Sequence, residues 1–128
     1  MSYYFAKTME QGFDATVAAA RKALAEEGFG VITEIDVQQT LKTKIGVDFR
    51  PYLILGACNP RLAHEALLLE DKVGAMLPCN VVVQDLGGGR TEVAAIDPVA
   101  SMRAIDNDAL KEKAAMVADK LRAAIARL

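Results

Sequence analysis

The sequence predicts an α+β domain built on one antiparallel-rich sheet of five strands, with helices packed on one face. Three observations carry this prediction. Five short runs suited to strands alternate with stretches whose apolar residues recur at helical spacing. The glycine-rich link Leu86-Gly87-Gly88-Gly89-Arg90 joins two of those runs as a hairpin, which makes them antiparallel. A hairpin inside such a mixed order argues against a doubly wound parallel sheet. At 128 residues the chain can bury one core without help from a disulfide or a metal. It carries no internal repeat, low-complexity tract or linker, so residues 1–128 are expected to form a single domain.

The first strand covers residues 3–8, where Tyr3, Phe5 and Lys7 alternate with Tyr4, Ala6 and Thr8. Gly12-Phe13-Asp14 opens a helix on which Phe13, Val17, Ala20 and Leu24 share a face, and Gly28 ends it. Residues 29–35 form the second strand. Asp36-Val37-Gln38-Gln39 has the form of a capping box, and the short helix behind it presents Val37, Leu41 and Ile45 before Gly46. The third strand covers residues 50–58, with Pro51 confining its start to an edge or first position. Asn59-Pro60 supplies a cap and a proline at the first helical position, for a helix expected to reach about Lys72. Residues 79–85 and 91–97 are the hairpin strands. Asp97-Pro98 opens a short helix to about Asp106. Asp108 is expected to cap the last helix, whose buried stripe is Leu110, Ala114, Val117, Leu121, Ile125 and Leu128. The long first and last helices should cover one face of the sheet. The second face lacks enough helices to cover it.

Composition narrows the function classes. Apolar residues make up 52% and charged residues 25% of the chain, the balance of a globular protein rather than a disordered one. A net charge of −2 and a pI near 5.4 provide no basic footprint for nucleic acid or an anionic membrane. The start of the chain lacks the basic residues and long apolar run of a secretory signal, and no run approaches the ~20 residues that span a bilayer. A cytoplasmic location is expected, with both cysteines as thiols. The triple glycine is followed by no helix and no Lys-Ser/Thr pair, so it reads as a turn and not a phosphate loop. Ser101 lacks a Gly-x-Ser-x-Gly context, and no nucleotide, haem or flavin signature appears.

Five motifs occur in order along the chain: Tyr3-Tyr4-Phe5-Ala6-Lys7-Thr8, Glu27-Gly28-Phe29-Gly30-Val31, Thr33-Glu34-Ile35-Asp36-Val37, Gly56-Ala57-Cys58-Asn59-Pro60 and Leu77-Pro78-Cys79-Asn80-Val81. Together they resemble the domain of unknown function family 302, over nearly the whole chain. The resemblance implies a compact α+β fold similar to the TATA-binding-protein class and a dimeric assembly. It implies no particular reaction, and a shared topology does not carry DNA binding with it.

One end of the molecule attracts a functional reading. Cys58 ends the third strand and Cys79 begins the fourth, so antiparallel pairing puts both at one end of the sheet, where Asp97 also finishes. Asn59-Pro60 and Asp97-Pro98 open helices there, and helix N-termini favour anions and thiolates. The candidate ligand-binding residues are therefore Cys58, Asn59, Cys79, Asn80 and Asp97. The leading expectation is a homodimeric module that binds a small anion or a metal at this end. The alternatives are a redox or sulfur-transfer enzyme using a Cys58 or Cys79 thiolate, and a structural dimer without ligand. Buried free cysteines are also ordinary small hydrophobes, and Asn59 and Asp97 serve as caps in any case. A structural zinc finds no closed four-ligand set. His64, the single histidine, is expected on an outward face beside Leu67 and Leu68, which suggests a contact surface. Glu34 reads as a solvent-facing strand residue, and Lys42 and Lys44 as surface partners for nearby acids.

Overall fold

The structure, a computed structural model, describes residues 2–128. Strands β1 (Tyr4–Met9), β2 (Gly30–Asp36), β3 (Tyr52–Cys58), β4 (Cys79–Gly87) and β5 (Arg90–Ile96) form one sheet in the order β1-β5-β4-β3-β2. Every neighbouring pair is antiparallel. Helices are α1 (Phe13–Glu26), α2 (Val37–Ile45), α3 (Pro60–Leu69), α4 (Pro98–Ser101) and α5 (Asp108–Ala126), with a 3₁₀ turn at Val73–Met76. This is the predicted α+β class. β2 to β5 form a meander, and α1 carries the chain between the two edge strands, which therefore run parallel to each other.

Strand alternation sorts the sheet into two unlike faces. Leu53, Leu55 and Ala57 of β3, Cys79, Val81 and Val83 of β4, and Val93 and Ala95 of β5 are buried against α1 and α5. The helices answer with Ala20, Ala23 and Leu24 on one side and Leu121, Ala124 and Ile125 on the other. Two buried polar residues are satisfied locally. The Thr16 hydroxyl donates to the Gly12 carbonyl at 2.9 Å and the Thr91 hydroxyl to the Gln11 carbonyl at 2.8 Å, so both tether the turn before α1. Glu34 is exposed, as expected, but pairs with Arg21 of α1 at 2.8 Å. Lys42 pairs with Asp48 at 2.8 Å.

Among the described residues the opposite face carries no core residue. Register aligns Ala6, Ala94, Val82, Ile54 and Ile35 across its middle, and Thr8, Glu92, Gln84 and Tyr52 in the next row. None of α2 is buried, and it packs beside β2 and β3.

A second, smaller core sits at the end of the sheet where β3 finishes and β4 starts. It unites Ala66 of α3, Val73 of the 3₁₀ turn, Met102 after α4, and Leu110 and Ala114 of α5. α5 is long enough to serve both cores.

Local signals explain most element ends. Asp36 accepts from Gln39 N at 2.9 Å, and Gly46 closes α2 at φ +69°. Asn59 accepts from Leu62 N at 3.1 Å ahead of Pro60. Gly88 and Gly89 both have positive φ, as a two-residue hairpin loop between paired Gly87 and Arg90 requires. Three expectations are corrected. α3 stops at Leu69, short of Lys72, and the chain re-enters a 3₁₀ turn near Gly74. α4 ends at Ser101, well before Asp106. The last helix is capped by Asn107, with Asp108 as its first residue. One side chain accounts for the first and third changes. Asn107 Oδ1 accepts from Leu110 N at 3.0 Å, and its Nδ2 donates to the Leu69 carbonyl at 2.9 Å. It therefore begins α5 and satisfies the end of α3 together.

Candidate functional site

Between the two cores lies a cavity of about 310 Å³. The sheet end contributes Phe29, Ala57 and Cys79, and α3 contributes Leu62, Ala63 and Ala66. Leu77 and Pro78 close a further side, with Met102 beyond α4 and Leu110, Lys113, Ala114 and Val117 along α5. The walls are almost wholly hydrocarbon. The volume matches the lower range of small-molecule sites, which are concave and mostly apolar with few polar groups.

The small residues explain why space remains. Ala63 and Ala66 on α3 face the Ala114 turn of α5, and three methyl groups do not fill the gap between two helix backbones resting on a sheet end. Among the described residues Lys113 is the single charged wall residue. Its Nζ lies 2.8 Å from Glu65 Oε2 of α3, which ties the two helices together beside the cavity. The hydrogen bond and charge of Lys113 hold the Glu65 carboxyl below its usual range.

The sequence-predicted residues divide. Cys58, Asn59 and Cys79 all border the cavity. Ala57 pairs with Cys79, so Cys58 is one residue off on the neighbouring strand and both cysteines stand at the same end of the sheet. Alternation nevertheless sets Cys79 on the helix-covered face with Ala57 and turns Cys58, one position on, toward the other. Asn80 lies elsewhere. It follows Cys79 in the strand, is exposed, and borders a groove on the uncovered face with Tyr4, Tyr52 and Val82. Asp97 reaches the expected end, but its carboxylate caps α4 through Val99 N at 3.0 Å, and Pro98 stands in the cavity wall in its place.

Among the described residues no three His, Cys, Asp or Glu side chains converge to hold a metal ion. His64 is exposed and outside the wall. Burial pushes the Cys79 thiol from its ordinary 9.0 up to about 11, and the nearby Cys58 adds to the shift. A thiol so raised is protonated at neutral pH, the reverse of an activated nucleophile.

The same burial makes a prediction about stability. Folded Cys79 keeps its proton between pH 9 and about 11, whereas the unfolded thiol loses it. The unfolded state then binds fewer protons, so this contribution is present below pH 9 and declines as pH rises toward 11. The decline is on the order of 1 kcal/mol per pH unit. In urea unfolding, the stability gap between the wild type and Cys79→Ala should narrow by that amount from pH 9 to pH 10. A constant gap would show that Cys79 does not titrate this way.

Leu67 and Leu68 are exposed on α3, as expected for an outward surface, although Leu67 also touches the cavity rim. Sequence reasoning missed Lys113 and the alanine set. The spacing of Leu110, Ala114 and Val117 marked a buried face, and nothing in that spacing told a packed seam from an open one.

The two-layer α+β architecture with a cavity at one sheet end defines the class of protein. Residues 5–128 match the family named Domain of unknown function DUF302, and the chain belongs to that family. It is similar to the crystal structure of an uncharacterized conserved protein DUF302 from Bacillus stearothermophilus. The two share 32% sequence identity and a TM-score of 0.90, over 99% of this chain and 98% of that one. No curated protein matches the chain. Among the described residues no helix is long and apolar enough to cross a membrane.

Proposed function

We propose that this domain binds a small, predominantly apolar molecule in the cavity at the Cys58/Cys79 end and acts as a cytoplasmic homodimer. The reading keeps the expected end of the molecule and changes the ligand from an anion or metal to a hydrocarbon-rich compound. A cavity of about 310 Å³ whose wall is apolar except at Asn59 and Lys113 supports it. Such a wall offers dispersion contacts and water release, while either polar residue can orient one hydrogen-bonding group of the ligand. The raised thiol of buried Cys79 favours a packing role at that position over a thiolate nucleophile.

The test uses N-phenyl-1-naphthylamine, a neutral probe whose fluorescence rises in apolar sites. Titration should saturate at one probe per chain. Ala114→Phe places a ring in the cavity wall and should weaken binding at least tenfold, with the fold intact by circular dichroism. Equal binding by both proteins, or none by the wild type, would refute the site.

A further inference from the structure

We infer that the uncovered face of the sheet is a self-association surface, occupied by the same face of a second copy of this chain. The inference rests on the dimeric reading above and names the surface that carries it. An antiparallel sheet with one solvated face normally alternates apolar-in with polar-out. Here the outward row is Ala6, Ala94, Val82, Ile54 and Ile35, apolar from one edge of the sheet to the other. Val82, Ala94 and Ile54 are already half-buried by their strand neighbours, and Ile35 is 50% exposed. These residues form a continuous patch, unlike the single apolar residues scattered on ordinary surfaces.

Charge and area both favour a second copy. A two-fold contact sets a surface against itself, so any uncompensated charge near its centre would repel its own image. The one ionised residue in the two inner rows is Glu92, and Gln84 links it through hydrogen bonds to the guanidinium of Arg50. Gln84 Nε2 donates to Glu92 Oε1 at 2.9 Å, and Arg50 Nε donates to Gln84 Oε1 at 2.9 Å. Each copy thus carries one acid and one base joined through Gln84 in this part of the face, a balanced set for a two-fold contact. Five strands about 4.8 Å apart and roughly 22 Å long present on the order of 500 Å² in projection. With side-chain relief this approaches the roughly 800 Å² per partner that stable interfaces bury.

Light scattering after size exclusion decides the matter. The wild type should give twice the chain mass of 13.7 kDa at micromolar concentration. Val82→Glu puts a charge at the centre of the face and should give the single-chain mass. Ala94→Arg is the second variant, should Val82→Glu not fold. Leu68→Glu, on α3, should leave the dimer intact. A monomeric wild type would refute dimerisation itself. A wild-type dimer that survives both sheet variants, or dissociates with Leu68→Glu, would refute this face as the interface while leaving the dimer standing. A sheet variant that loses the naphthylamine probe without changing mass would assign the face to a small ligand instead.

Discussion

Truncating Leu121 to alanine is expected to lower the unfolding free energy by about 2–5 kcal/mol, out of the roughly 5–15 kcal/mol typical of a whole domain. Leu121 has no exposed surface and lies at the centre of the main core, where α5 meets the sheet and α1. Its neighbours are strand valines and helix alanines, which cannot lengthen to refill the space. The lost methyl groups therefore leave a void, and the void costs more than transfer alone. The melting temperature should fall on the order of 10 °C. Leu110→Ala makes the informative comparison. Leu110 is 1% exposed and equally buried, yet it borders the existing cavity and already lacks partners on that side. Its truncation should cost about 1–2 kcal/mol less than that of Leu121. With saturating naphthylamine all three folded proteins should gain stability, because each holds the probe, but the gap to the wild type should narrow only at Leu110, whose truncation enlarges the site, and stay unchanged at Leu121. Thermal and urea unfolding of both variants, with and without the probe, checks this. Equal losses in the two cores would mean that the seam between them is packed.

The degree to which the sequence revealed the fold depended on how local each determinant was. The hairpin needed only Gly87-Gly88-Gly89, because positive φ is cheap at glycine and costly elsewhere. The starts of α2 and α3 needed only Asp36 and Asn59-Pro60, whose caps act within three residues. The stripe on α5 followed from spacing alone. Elements went wrong where a distant group intervened. Leu69 is 38 residues from Asn107, and no local pattern announces that one amide would end α3 and start α5. The candidate site was legible in part. The topology argument rightly brought Cys58 and Cys79 to one end, but it grouped Asn80 with Cys79 although adjacent strand residues must face opposite sides. That placement was readable from the sequence. The cavity was not, because whether Ala63, Ala66 and Ala114 leave a space or let two helices close on each other depends on the sheet beneath them.

Gly56→Ala is expected to be nearly as damaging as a core truncation, for a reason that lies in space and not in backbone conformation. Gly56 does not adopt positive φ. It pairs across β2–β3 with Thr33, and an added Cβ would fall on Thr33 Oγ1 and 2.6 Å from Pro78 Cγ. The two obstacles differ in how they can yield. The Thr33 hydroxyl sits on a surface side chain and can turn to another rotamer at small cost. The Pro78 ring is fixed to the backbone immediately before β4 and moves only if the strand moves. Gly56→Ala alone should therefore cost about 2–3 kcal/mol, within the range for overpacking a tight site. Thr33→Ala should be nearly neutral, and adding it should recover roughly 1 kcal/mol, with the remainder due to Pro78. A double-mutant cycle by urea unfolding measures this partition. Full recovery in the double variant would clear Pro78 of any role, and a loss below ~0.5 kcal/mol for Gly56→Ala would mean that β3 and β4 shift freely. Cys58 and Asn59, next along the chain, border the cavity. If the strand is displaced as argued, Gly56→Ala should also weaken naphthylamine binding several-fold, and the Thr33→Ala background should restore affinity only as far as it restores stability.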